Sequence, residues 1–496
     1  MVNPVLLIVI PLGLAFTIPL CGLISKKIQK YIPVLGMIFN LVVAITIIPR
    51  AIKAPIIVKL GGFPVPFGIN LMVDPLAAFL AALIALIGLM ISIYAIDYIR
   101  KGATQNYHML YLLLLVGATG IVLTGDIFNL FVFYEILCIS SYALVAYNGD
   151  KPGVEAGMKY LIQGTVGSGL ILIGIAMLYG QFGTLNMAQI AQQIHSATPL
   201  SVFVPLAFLI TGFGIEAAMF PLNAWLPDAH SSAPSSISAI LSGIAIKMGI
   251  YAIIRVIFTI FNALSILHFL TFVALFTLLI GELAAFRQKN LKRMLAYSST
   301  GQIGLIIFAF TMASASGVQG ALFQITSHAL AKAVLFLAAG YMIYRTGSMD
   351  IDSLQGIGKK MPLTCLAFTI GVFSIIGFPP FIGFPSKFLI IKAALIKNEL
   401  VFTILIGFVL LGTIIEGAYF FRVVQVMYFK GRNTSPVLQG GKKRHEAPIV
   451  ALIPIFILII LIVIIGVYPK FISDILHSVA EGLLDRMGYI KGVLSL

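Results

Sequence analysis

Charge is what this 496-residue sequence has least of. Asp, Glu, Lys and Arg make up 10% of it, where a soluble domain carries about a quarter. Hydrophobic residues make up 60% and mean hydropathy is +1.07, which excludes a soluble globular chain. Cysteine is scarce too. Cys21, Cys138 and Cys365 lie far apart, in or beside apolar runs, without CxxC or Cys/His spacing, so they read as small core residues and no metal site is expected. No GxGxxG or GxxxxGK[ST] pattern opens a soluble helix, and no segment outside the apolar runs exceeds a loop. No cofactor is therefore expected in this chain: no nucleotide, flavin, cluster or quinone. The opening Met-Val-Asn-Pro lacks the basic stretch of a cleaved leader, so the first apolar run reads as a retained helix.

What is present is a succession of apolar runs, each long enough to cross a hydrocarbon core about 30 Å thick. About fourteen transmembrane helices are expected, near 4–24, 31–49, 70–99, 108–124, 127–147, 155–180, 201–221, 233–258, 261–285, 293–315, 317–344, 362–395, 400–429 and 447–468. The fold class is an all-α polytopic membrane protein, with 1–496 as a single integral membrane domain. The segment 471–496 mixes apolar residues with Asp474, Glu481, Asp485, Arg486 and Lys491, and reads as an amphipathic C-terminal tail on the membrane surface.

The net charge of +15 is not a nucleic-acid stripe. It falls in alternate loops: Lys26, Lys27 and Lys30; Arg100 and Lys101; Lys151; Arg287, Lys289, Lys292 and Arg293; Arg345, Lys359 and Lys360; and Lys430, Arg432, Lys442, Lys443 and Arg444. Arg50, Lys53, Lys59 and Lys397 are the exceptions. Basic loops face the cytoplasm, so both termini are expected outside the cell membrane.

Ionisable residues within spans are costly, at about 3 kcal/mol each if left facing lipid. Glu135, Glu216, Lys247, Glu282, His328, Lys332, Lys387 and Glu416 lie in apolar runs and must pair or line water. Such a series can carry protons, because acid, amine and imidazole can each gain and lose one. Lys332, Glu282 and Arg255 lie near span ends, where snorkelling is the alternative. His328 and Lys332, four apart, share a helix face.

Two spans are interrupted by proline, at "MFPLNAWLPDAHSSAP" and "GFPPFIGFPSKF". Freed backbone groups are tolerated at depth only beside protein or water. Gln163 and Thr165 in "LIQGTVGSGLILIG" match Gln324 and Thr326 in "LFQITSHALAKAVLFLAAG". Together these predict two inverted five-helix repeats, spans 4–8 (108–258) and 9–13 (261–429), with the ion path between them. The glycines from Gly164 to Gly174 are expected to allow close helix packing.

"PLNAWLPDAHSSAPSSISAILSGIAIKMGIYAIIR", "GDIFNLFVFYEIL", "SHALAKAVLFLAAG", "GFPPFIGFPSKF" and "VDPLAAFL" resemble the antiporter-like subunits shared by respiratory complex I, Mrp cation/proton antiporters and archaeal membrane-bound hydrogenase-like complexes. The likeness spans nearly the whole chain and is nearest the Mrp D-type subunit. It implies that Glu135 is the fifth-span acid, Lys247 the eighth-span base, His328 and Lys332 the eleventh-span relay, and Lys387 the twelfth-span lysine near the outer exit. The family pairs the fifth-span glutamate with a lysine five residues before the motif proline. Here that proline is Pro221 and the residue is Glu216.

Two acids there would share a proton or a Na⁺, unless Lys247 turns in to neutralise one. The implied function is movement of H⁺, or exchange of Na⁺ for H⁺, within a multi-subunit membrane complex driven by redox chemistry in partner subunits or by a Na⁺ gradient. The rivals are a non-conducting subunit that seals and scaffolds the complex, and a stand-alone transporter of an organic solute. No catalytic site is expected in the chain itself.

Overall fold

A computed structural model describes every residue except 1, 26, 101, 430–445 and 495–496. Lys26, Lys101 and the basic residues Lys430, Arg432, Lys442, Lys443 and Arg444 thus lie outside the described residues.

Helices α1 (Leu6–Ile24) and α2 (Ile32–Lys53) lead into a short antiparallel hairpin, β1 (Ile56–Lys59) with β2 (Asn70–Val73), Ile56 opposite Val73. Then come α3 (Pro75–Tyr98), α4 (Thr104–Leu123), α5 (Ile127–Val145), α6 (Lys151–Phe182), the short α7 (Met187–Gln193), α8 (Pro199–Glu216) and α9 (Trp225–Ser232). The next span is composite. It joins α10 (Ser235–Ile240) to α11 (Ile246–Ile254) through a π-helical turn over Leu241–Ala245, and ends in a second π segment, Arg255–Phe261. The second half contains α12 (Ile266–Phe286), α13 (Leu291–Thr311), α14 (Ala315–Thr346), α15 (Pro362–Ile376), α16 (Gly383–Ile396), α17 (Leu400–Tyr428) and α18 (Ile449–Val467), followed by α19 (Lys470–Leu484) and α20 (Arg486–Leu494).

Thirteen spans among the described residues are long and apolar enough to cross a membrane. The twelfth expected span is instead α15 and α16 in series, broken at 377–382. The seventh stops earlier than its apolar run. Helix α8 ends at Glu216, and Ala218 takes a positive φ of 52° before α9 begins. Side chains set the helix starts: Asp126 accepts from Asn129 N at 2.8 Å, Asp150 from Gly153 N at 3.0 Å and Asn290 from Arg293 N at 3.0 Å.

Burial identifies the axis. The 235–261 span and α14 are 100% buried across their apolar stretch, against 28% for α1 and 39% for α6. The two axial spans therefore meet protein on every side, α13 nearly so at 94%, while α1 and α6 present a face to lipid. Close approach to the axis needs glycine: a Cβ on Gly249 of α11 would lie 2.6 Å from Ala217 N, just past the end of α8.

The two halves share local details. Helices α6 and α14 each have 32 residues and each stops at a left-handed glycine, Gly183 and Gly347. A lone β-bridge joins Asp126 to Asn186 in one half and Asn290 to Asp350 in the other, with the same spacing along the chain. The first lies beside the hairpin, since Leu71 bridges Thr124. The second lies at the opposite end, among Lys289 and Arg293.

Helices α19 and α20 cross the hairpin end with Leu476, Val479, Ala480 and Leu483 buried. Arg486 anchors them. Its guanidinium donates to Ala191 O, to Thr259 O at 3.2 Å and to Ile260 O at 3.3 Å. It thus places a cation on the carbonyl ends of α7 and of the π segment, where the helix dipole favours one.

Candidate functional site

Lys247 and His328, one from each half, meet between the two axial spans. Lys247, on α11 just beyond the π turn, is 2% exposed. A π turn is wider than an α turn and leaves a carbonyl free to accept elsewhere. Lys247 Nζ uses it, donating to Ser242 O at 2.6 Å, and its second contact is His328 Nδ1 at 2.8 Å. With Lys247 donating, His328 carries its proton on Nε2, an atom without a protein partner among the described residues. One helical turn on, Lys332 Nζ donates to Ser298 Oγ at 2.7 Å and Leu295 O at 2.9 Å. Ser299 also donates to Leu295 O, and its hydroxyl meets Ser242 Oγ at 2.8 Å, so polar contacts link the two lysines through Leu295, Ser299 and Ser242, whose carbonyl and hydroxyl take separate partners.

The first-half acids sit between α5, α6 and α8. Glu216 is fully buried. Tyr160 donates to its Oε1 at 2.7 Å, and Cys138 Sγ lies 3.5 Å from Oε2. Tyr160 is held in place by Trp225, whose ring stacks on it at 3.7 Å and whose Nε1 donates to Ile215 O at 2.8 Å. The motif tryptophan therefore both adds a second donor to Ile215 O, which also accepts from Ala218 N at 3.0 Å, and braces the donor to Glu216. Gln163 satisfies Leu222 O, at 2.6 Å. Glu135 is half-buried and accepts from Ser168 Oγ. Among the described residues no bond or ion pair joins Glu135, Glu216 and Lys247 to one another. Lys247 turns towards His328, not towards the acids.

The second half carries an ion pair. Lys387 Nζ lies 2.8 Å from Glu416 Oε2 and 3.0 Å from Ile376 O, a carbonyl freed by the second break. Gln302 Nε2 donates to Glu416 Oε1 at 2.7 Å, Gln324 donates to Gln302, and Ser386 Oγ donates to Gln324 Oε1 at 2.6 Å. Glu282 accepts from Tyr419 at 2.8 Å. It fits because residue 301 is glycine: a Cβ there would lie 2.1 Å from Glu282 Oε1.

The snorkelling alternative does not hold for Arg255, Glu282 or Lys332, which are 3%, 2% and 0% exposed. Snorkelling needs a head that reaches the polar layer. Arg255 instead pairs with Asp74, the N-cap of α3, at 2.6 Å. Tyr160, Ser168, Gln302 and Tyr419 escaped sequence reasoning because neutral polar residues are common in apolar helices. Only Gln302's partner Gln324 had a signal, its match to Gln163. His230, in the most specific motif, was not singled out from the sequence either, and it is fully buried.

Fold and site together define a nearly all-helical, multi-pass membrane subunit with buried ionisable side chains. The model of the NADH:quinone oxidoreductase/Mrp antiporter transmembrane region matches residues 124–414, and that of the N-terminus of complex I chain 5 matches 58–108. The chain belongs to this family of antiporter-like membrane subunits. It is 34% identical to the N-type subunit of the NADH-quinone oxidoreductase of Desulforudis audaxviator, over 96% of this chain and 97% of the relative. It is 32% identical to the D-type subunit of the Na(+)/H(+) antiporter of Alkalihalophilus pseudofirmus, over 88% of each. Among solved structures, a chain of the membrane-bound sulfane sulfur reductase, an archaeal respiratory membrane complex, superposes with a TM-score of 0.91 at 37% identity, covering 99% of both chains.

Proposed function

We propose that this chain is an ion-translocating subunit of a multi-subunit membrane complex and moves protons along Glu135, Glu216, Lys247, His328, Lys332, Glu416 and Lys387. Other membrane subunits supply the drive, from redox chemistry or from a Na⁺ gradient exchanged against H⁺. The basic loops face the cytoplasm, both termini lie outside the cell membrane, and 108–258 and 261–429 are inverted repeats that bring the row together. The matching bridges at opposite ends support the inversion.

One observation carries the reading: the 2.8 Å contact between Lys247 Nζ and His328 Nδ1, both fully enclosed by protein. Two bases in contact cannot both hold a positive charge cheaply at such depth, so the pair stabilises one shared proton rather than two. A static structural bridge would join opposite charges. Proton movement by the reconstituted complex is expected to fall at least about a hundredfold in Lys247→Ala and in Glu135→Gln. Unchanged movement per turnover in both variants rejects conduction.

A second reading, a non-conducting subunit that seals and scaffolds its neighbours, is favoured by the enclosure of Glu216 between Tyr160 and Cys138, with no basic side chain bonded to it among the described residues. Glu216→Lys distinguishes the two. Lysine suits the carbonyl end of α8 and would restore an acid–amine pair with Glu135. A conducting chain responds with a changed Na⁺ dependence or pH profile of transport. A scaffold responds with neither.

A further inference from the structure

His230, at the end of the motif "WLPDAH" on α9, is fully buried, and among the described residues no protein group bonds to either ring nitrogen. Its ring stacks on Phe336 with centroids 4.9 Å apart and planes 11° from parallel. A histidine kept only for packing would do worse than phenylalanine or leucine here. Each dry, unpaired ring nitrogen costs about 1–3 kcal/mol, which the apolar side chains avoid. Buried polar atoms without a protein partner are ordinarily satisfied by water.

The position of Phe336 gives the imidazole a place in a sequence of groups. His328, Lys332, Phe336 and Gly340 follow one another at four-residue intervals and so form one stripe on α14. His328 meets Lys247, Lys332 meets Ser298, and Phe336 meets His230. Gly340 leaves space for Ser235, since a Cβ there would lie 2.7 Å from Ser235 Cβ. Ser235, Tyr341 and Lys292 also line a cavity of about 320 Å³ that opens at Arg100 and Asn148 on the basic face. Lys292 is 2% exposed at its inner wall and donates to Ala233 O. His230 is therefore one helical turn, about 6 Å, from the level of Lys332 on the side of this cavity.

We infer that His230 relays protons between the basic-face cavity and the row Lys332–His328–Lys247, through water held at its two ring nitrogens. One nitrogen accepts a proton from the cavity side while the other releases one towards Lys332. Imidazole passes one proton this way without moving, because its two nitrogens are separate acid–base sites, and the ring then turns over to restore its first tautomer before the next. The inference rests on the row conducting protons.

The purified, reconstituted complex tests it with three variants: His230→Gln, His230→Phe and Lys247→Ala. His230→Gln and His230→Phe are both expected to lower proton movement about tenfold or more, with subunit assembly unchanged. A high-resolution map of the assembled complex is expected to show a water within about 3.2 Å of each His230 ring nitrogen. Full activity in His230→Phe, or two dry nitrogens, overturns the relay. If Lys247→Ala stops transport while His230→Gln leaves it intact, the relay alone falls. If all three variants transport normally, the conducting row falls and the relay with it.

Discussion

The two halves handle the same difficulty, a broken helix in the membrane, with different chemistry. In the first, Leu222 O, freed after α8, is taken by the neutral donor Gln163, and Trp225 adds a second bond to Ile215 O at the helix end. In the second, the carbonyl at the end of α15 is taken by the cation Lys387, which also holds Glu416. The acids differ accordingly. Glu216 rests on a phenol and a thiol, whereas Glu416 has an ammonium and an amide. Charge beside the second break is locally compensated, so Lys387 and Glu416 are committed to each other. Charge beside the first break is held by groups that can support either protonation state.

Removing one group from each half should break this contrast or sharpen it. The largest effect is expected for Lys387→Ala, which strands Glu416 in the interior. Loss of one partner of a buried pair costs about 3–5 kcal/mol, read as a lowered unfolding midpoint of the purified complex. Its first-half counterpart, Glu216→Gln, keeps an acceptor for Tyr160 and should cost about 1 kcal/mol or less. Equal losses would erase the distinction between the halves. Next comes Gly249→Ala, expected to cost about 2 kcal/mol, because the added methyl meets backbone at Ala217 and pushes α11 off the end of α8. Partial loss of proton movement should accompany it if the acids and Lys247 act as one row.

The glutamines give the smallest contrast. Gln324→Leu takes the donor from Gln302 Oε1 and one of the two acceptors from Ser386, whose Oγ keeps Gly383 O, and should cost about 2 kcal/mol, against about 1 kcal/mol for Gln163→Leu, where one carbonyl is affected. Thermal unfolding of both variants checks the order.

The sequence conveyed the spans well because hydrocarbon imposes length and composition on every one of them. It also picked out Glu216, Lys247, His328, Lys332, Lys387 and Glu416, because a charge in an apolar run stands out. What it could not convey was which helices would touch. Tyr160 supports Glu216 only because α6 packs along α8, and Ser298 supports Lys332 only because α13 packs along α14. The end of α8 at Glu216 was similarly hidden, since the residues beyond it are as apolar as those before. The buried states of Arg255 and Glu282 depended on partners far along the chain, Asp74 and Tyr419, which no local pattern announces.

The π turn over Leu241–Ala245 has a consequence for how the chain tolerates change in length. Such a turn amounts to one extra residue in an otherwise α-helical run. Deleting one residue within it would let the helix close to an α ladder with both flanks near their present azimuth, because the turn already absorbs the extra residue. Ser236 could then keep Tyr107 and Lys247 could keep His328, but Ser242 O would regain a helical donor and be lost to Lys247. The turn thus acts as a one-residue slot that supplies an acceptor at depth without turning the span. A one-residue deletion there should leave the fold standing and take from Lys247 its carbonyl partner.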